Sequence, residues 1–167
     1  MRTLYLTRHA KSSWDDPRMD DFDRPLNERG ERDAPFMARI FKERGEPVDL
    51  LVTSTAKRAL TTARTFAQAL GVAEAAIQQD RTIYLAPVNT LLQVVNRLPD
   101  VHKRVMLFGH NPGFSELAEL LNEAGTGELP TCSTVRIDLP VDEWKEVSAG
   151  LGTLVWLDFP KRHVDLR

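Results

Sequence analysis

The sequence predicts an α/β fold: a mostly parallel central sheet, helices on both faces, and one antiparallel strand near an edge. Three observations lead there. Short, near-continuous apolar runs recur at 3–7, 48–53, 104–109 and 153–158, as expected of strands covered on both faces. Amphipathic stretches with helical spacing separate them, and strands alternating with helices build βαβ units. One further segment, 133–139, alternates with a period of two instead of running apolar throughout.

The elements follow in order. "TLYLT" forms the first strand. The stripe Met37, Ile40, Phe41 and Arg44 marks the first helix. The second strand, 48–53, runs into "VTSTAKRALTTA", where Ser54 is placed as a helix N-cap and Arg58 falls in the first turn. Leu60, Ala63, Ala67 and Leu70 give that helix its apolar side, and Leu91, Leu92, Val95 and Leu98 form a third stripe. The strand at 104–109 leads into "LFGHNPGFSEL", with Pro112 suited to the first helical position and Phe114, Leu117, Ala118 and Leu121 as the fourth stripe. In 133–139, Val135, Ile137 and Leu139 alternate with Thr134, Arg136 and Asp138, the pattern of a half-covered strand. One stretch breaks this rhythm: from Arg8 to about Asn27 runs a polar loop containing "DDPRMDDFDRPL". Loops that long are uncommon in compact domains and often carry function.

Composition bounds the answer. A chain of 167 residues is near the modal domain size, so a single domain, 1–167, is expected. With 42% apolar and 28% charged residues it reads as an ordinary globular protein. A net charge of −2 argues against a nucleic-acid partner. The lone Cys132 excludes a disulfide framework and fits a reducing compartment. No apolar stretch approaches a membrane span, and the first residues enter a strand without a signal-peptide pattern, so a cytoplasmic location is expected.

Three strand ends share one chemistry. The first gives "TRHAKSS", the second reaches Arg58, and the run 104–109 leads into His110. Ligands in open α/β folds bind beyond the carboxyl ends of strands. Helix N-termini add free N–H groups there, so helix ends and side-chain cations together make an anion site. Two arginines and two histidines suit the three non-bridging oxygens of a phosphoryl group. Each residue alone has a plainer reading: Arg8 and Lys11 as solvated loop residues, His9 as a structural histidine, Arg58 as a helix-surface residue, His110 as a turn former. Their joint occurrence at equivalent ends outweighs those readings. His102 and His163 read as solvent-exposed.

"LTRHAKSSW", "DRPLNERG", "VTSTAKRALTTA" and "LFGHNPG" together resemble the motifs of the histidine phosphatase (phosphoglycerate-mutase-like) superfamily, and more closely its small phosphohistidine phosphatase, SixA-type branch. The resemblance runs from residue 4 to about residue 157. It implies that His9 accepts the phosphoryl group. Arg8 and Arg58 would hold its oxygens, His110 would donate to them, and Arg24 of "DRPL" would be a further phosphate-facing arginine. The partner implied is a phosphorylated substrate, such as a protein bearing phosphohistidine. No metal and no other cofactor is called for.

The physical chemistry agrees. A histidine nucleophile must be neutral at one ring nitrogen, and neighbouring arginines favour that form. A phosphohistidine intermediate splits one hard displacement into two easier ones, and cations stabilise the charge in flight. The chain also departs from the larger members of the superfamily, which carry a glutamate general acid after the second helix. Here "DRTIYLAPVNTLLQ" has no carboxylate after Asp80, and the next in the chain is Asp100. An alkoxide, whose conjugate acid has a pKa of roughly 15–16 like water, needs protonating as it leaves; imidazole, at about 6.5, does not. The site therefore suits a phosphoramidate, with Asp21 or Asp23 as candidate proton donors from the loop. A short chain without capping insertions leaves the site open to a protein side chain. "CSTVR" has too few residues between Cys132 and Arg136 for a cysteine phosphatase loop, and no P-loop is present. The rival readings are a phosphatase of small phosphomonoesters and a non-catalytic phospholigand-binding module.

Overall fold

The computed structural model describes residues 1–163. Six strands form one sheet: β1 (Arg2–Arg8), β2 (Leu50–Thr53), β3 (Gln78–Gln79), β4 (Arg104–Gly109), β5 (Thr134–Leu139) and β6 (Thr153–Asp158). Their order is β3-β2-β4-β1-β5-β6. β1, β2, β3 and β4 pair in parallel, while β5 runs against both β1 and β6. One strand is thus reversed, as its period-two pattern predicts. Four α-helices intervene: α1 (Glu28–Arg44), α2 (Lys57–Leu70), α3 (Val88–Asn96) and α4 (Gly113–Leu121).

Strand alternation divides the core into two layers. Leu4, Leu6, Val105 and Leu107 face one side, with α3 and α4, where Leu91, Val95, Phe114 and Leu117 cover them. Tyr5, Leu51, Met106 and Phe108 face the other, where Met37 and Phe41 of α1 and Phe66 of α2 close over them. Both faces are covered, which explains why these strands read as continuous apolar runs.

Local differences from the sequence expectations have clear causes. The run at 153–158 forms β6, an edge strand: Leu154 and Leu157 pack on one core layer and Trp156 on the other, while Thr153 and Val155 are exposed. β3 has two residues, both exposed, so no apolar signal marks it. The N-cap of α2 is Ala56; Ser54 lies two residues earlier, and its Oγ accepts from Ala56 N–H. Pro112 is the N-cap of α4, one step before the expected position. His163 is half-buried, with Nε2 2.6 Å from an Asp158 carboxylate oxygen and its ring edge-on to Phe36.

The chain moves outward from β1 to β2 and β3, then returns to place β4 between β2 and β1. α1 and α2 lie on one face and α3 and α4 on the other. This reversal opens a crevice at the carboxyl ends of β1, β2 and β4.

Candidate active site

Register sets the site. Arg8 pairs with Gly109, and Thr53 with Phe108, so three strand ends finish side by side. His9 N–H donates to the Gly109 carbonyl and Ser54 N–H to the Phe108 carbonyl, each at 3.0 Å, which fixes the residue after each strand. From the reversed side, Cys132 N–H donates to the His9 carbonyl and Arg8 N–H to Ser133, again at 3.0 Å. His9 and His110 thereby face each other with ring centroids 5.2 Å apart.

His9 is held in one tautomer. Its Nδ1 lies 2.7 Å from the Ala10 carbonyl, so Nδ1 carries the proton and donates. Nε2 then has the lone pair, which accepts from Arg58 Nε at 3.3 Å. Burial pushes the imidazole pKa down to about 3, against the bond to Ala10, and the charges of Arg58, Arg8 and Arg24 push the same way. His110 is likewise pushed down to about 3, first by burial and then by the neighbouring His9 and Arg58. Both rings are neutral at physiological pH.

The donors around them are fixed differently. Ser54 Oγ accepts from Ala56 N–H and sits 2.8 Å from His110 Nε2, to which its own hydroxyl hydrogen can be donated. His110 Nδ1 is then the protonated nitrogen. It is buried without a hydrogen-bond partner among the described residues, and so is Arg8 Nε. Two unpaired buried donors beside an imidazole lone pair favour an anion. Arg8 Nη1 donates to the Leu129 carbonyl at 2.7 Å, and Asn111 Nδ2 reaches the same oxygen at 3.0 Å.

The 9–27 loop contributes through Asp21. Its carbonyl accepts from Arg58 Nη1 at 2.6 Å, and one carboxylate oxygen accepts from Arg58 Nη2 at 2.9 Å and from the Tyr84 hydroxyl at 2.6 Å. Burial alone would raise the Asp21 pKa, but these bonds outweigh it and hold the group below the usual carboxylate range. Asp21 therefore enters the site as an ionised acceptor that orients Arg58. Asp23 is exposed in the same turn. Arg24 is buried, yet each of its three nitrogens donates within the loop: Nε to the Ser13 carbonyl, Nη1 to Asp21 and Nη2 to Ser12 Oγ, at 2.7–3.0 Å. Trp14 stacks on it from outside. Arg24 shapes the loop that carries Asp21, and its charge reaches His9 from there.

Arg8, His9, Arg58 and His110 are brought together as sequence reasoning expects, with Asp21 beside them. Tyr84 and Ser54 were not anticipated as site residues: an uncharged phenol in "DRTIYLAP" and a serine placed as a helix cap carry no charge signal. Among the described residues, no three His, Cys, Asp or Glu side chains are gathered in a metal-holding group.

Residues 4–83 match the family model of the histidine phosphatase superfamily, branch 1. An uncharacterized chloroplastic protein of Arabidopsis thaliana is 34% identical over 164 residues, covering 93% of this chain and 74% of that protein. The chain belongs to the histidine phosphatase superfamily. A solved structure assigned as the phosphohistidine phosphatase SixA of Agrobacterium tumefaciens superposes on this superfamily member with a TM-score of 0.79 at 28% identity, covering 95% of this chain and 98% of the other. The protein histidine phosphatase SixA complexed with tungstate gives a TM-score of 0.81 at 18% identity, covering 96% and 98%, and shares the fold. For this histidine phosphatase fold the six-stranded sheet and its single reversed strand are the common frame.

Proposed function

We propose that this chain is a metal-independent phosphatase that works through a phosphohistidine on His9, with phosphohistidine of a protein or a similar phosphoramidate as substrate. The observation that carries the reading is the His9 tautomer: Nδ1 is tied to the Ala10 carbonyl, so Nε2 presents its lone pair at the strand ends. Likeness to SixA-type structures supports the choice of substrate.

In the first step Nε2 forms a bond to phosphorus while the bond to the leaving nitrogen or oxygen breaks. Arg58 Nε turns from Nε2 to a phosphoryl oxygen, which frees the lone pair as negative charge arrives. Arg8 Nε and His110 Nδ1, the two unpaired donors, meet other oxygens. In the second step water attacks phosphorus as the P–Nε2 bond breaks; the water's proton leaves with the phosphate, and His9 returns neutral with its proton on Nδ1. Asp21 does not stand ready to protonate a leaving group, because Arg58 and Tyr84 hold it ionised, and Asp23 is exposed in the same turn. A phosphohistidine ring protonated on its other nitrogen leaves as neutral imidazole, a weak base, and needs no acid. The buried free Cys132 accords with a reducing cytoplasm.

The test is to quench the protein during turnover of a phosphoramidate or an aryl phosphate and map the label. An acid-labile, base-stable phosphate on His9 that turns over with substrate is the expected result. Phosphate bound without label or turnover would make the chain a phospholigand-binding module. Efficient turnover of small alkyl phosphates, with phosphohistidine peptides left intact, would make it a small-molecule phosphomonoesterase.

A further inference from the structure

Two grooves share Arg8 of the site as a lining residue, and their charges are opposite. One, about 500 Å³, is lined by Glu116, Glu119 and Glu128 along α4 and the turn after it. The other, about 290 Å³, is lined by Lys11, Arg29 and Lys161, with Phe159 and Pro160 as an apolar wall, and no carboxylate among the described residues borders it. Arg29 is partly matched by Asp33, 3.5 Å from its Nε, and also donates to Thr131 Oγ1 at 3.2 Å. Lys11 and Lys161 have no carboxylate within ion-pair distance among the described residues.

With a net charge of −2, this chain has no general positive field that would gather cations here by default. Three cations and no lining acid among the described residues, next to an arginine that borders both grooves, leave an excess of positive charge beside the site even with Arg29 partly matched by Asp33. The glutamates of the other groove repel any second anion, so the substrate can be oriented in one sense only.

We infer that the Lys11–Arg29–Lys161 cleft binds a second anionic group of the substrate, a carboxylate or phosphate on an apolar stem next to the phosphoryl group transferred to His9. This deepens the proposed function and rests on it for the transferred group. The stem lies on Phe159 and Pro160; the anion meets the lysines. Lys11 and Arg29 are half-buried and Lys161 exposed, so the cleft reads the flank of an extended segment rather than enclosing it. A peptide with acidic residues beside the phosphohistidine satisfies this chemistry, as does a small aryl phosphate bearing a carboxylate.

The experiment compares kcat/KM in two arms, for wild type and the Lys11→Glu/Lys161→Glu double variant. The first arm uses phosphohistidine peptides of equal length flanked by Asp, Ala or Lys. The second uses phenyl phosphate with and without a ring carboxylate. Two partly screened charge pairs are expected to favour the acidic substrate by about tenfold over its neutral partner. That preference should shrink with added salt and vanish or reverse in the double variant. Turnover of unsubstituted phenyl phosphate should stay within about twofold, since neither lysine touches the reacting atoms. Binding of both substrate sets to a His9→Ala variant gives the same comparison without turnover. If no peptide is cleaved or bound while aryl phosphates are, the phosphohistidine reading fails and the second arm alone decides the cleft. Equal treatment of acidic and neutral substrates in both arms, or a preference unchanged in the double variant, would overturn the inference.

Discussion

His9 has two protections at once: a backbone carbonyl fixes its proton on Nδ1, and burial keeps a second proton away. A histidine near its ordinary pKa of about 6.5 would lose nucleophilicity below neutral pH. Here the pKa lies near 3, so kcat/KM should show no acid limb from His9 between pH 7 and 5, once the substrate's own phosphate ionisation is allowed for. A limb near 6.5 that moves with His9 environment variants would contradict the burial argument. Asp21→Asn separates two roles. As the group that orients Arg58, its loss should lower kcat/KM by about tenfold for aryl phosphates with good and poor leaving groups alike. A proton donor would instead hurt poor leaving groups by an extra factor of about a hundred or more. Arg58→Ala should cost about 10²–10³-fold in kcat and leave the fold intact, read by kinetics beside circular dichroism. At this scale the sequence was legible where charge stood at a strand end: Arg8, His9, Arg58 and His110. It was silent on Tyr84 and Ser54, whose roles depend on a partner distant in the chain, Asp21 for one and His110 for the other.

Among the elements, the junction between the 9–27 loop and α1 is the tightest. Asn27 caps α1 through its side chain to Gly30 N–H, and its own N–H donates to the Lys11 carbonyl. A Cβ at Gly30 would come within 2.1 Å of that Lys11 oxygen, a backbone atom that cannot swing aside. Gly30→Ala should cost roughly 1–3 kcal/mol by overpacking. It should also slow turnover, because Lys11 follows His9 by two residues. Denaturant unfolding beside kinetics checks both, and full stability would show that the loop relaxes freely. Helix stripes and buried strands were readable because each packs on one layer with its own period. The α2 stripe was read correctly at Ala63 and Ala67 and missed at its two leucines. Ala59, Ala63, Phe66 and Ala67 are its buried apolar residues, while Leu60 and Leu70 are half-covered at its margins. β3 was unreadable because two exposed glutamines leave no pattern.

Over the whole molecule, the buried histidines couple fold and pH. In the unfolded chain each takes up a proton near pH 6.5; in the folded chain His9 and His110 do so only near 3. Between those values the unfolded chain binds more protons, so stability is full above about pH 6.5 and falls as pH drops toward 3. Titrating Tm against pH for wild type and for His110→Gln should show a shallower acid slope in the variant; identical slopes would remove His110 from the account. Inorganic phosphate should raise Tm of the wild type at neutral pH, as any ligand of the folded state does. That rise should be lost in Arg58→Ala.

The reversed strand has a consequence for how such a molecule can change. Because β5 runs against β1, it starts where β1 ends, and the chain from α4 must return to the mouth of the site before β5 begins. Residues 122–133 make that return, and Gly125 and Gly127 sit there in left-handed conformations with open space around them. Extra chain inserted between them would hang over the entrance without altering a strand end. A descendant could thus acquire a roof, and with it a taste for small substrates, while every reacting group stayed in place. A flexible insertion at Thr126 should spare phenyl phosphate hydrolysis and slow any bulky phosphopeptide.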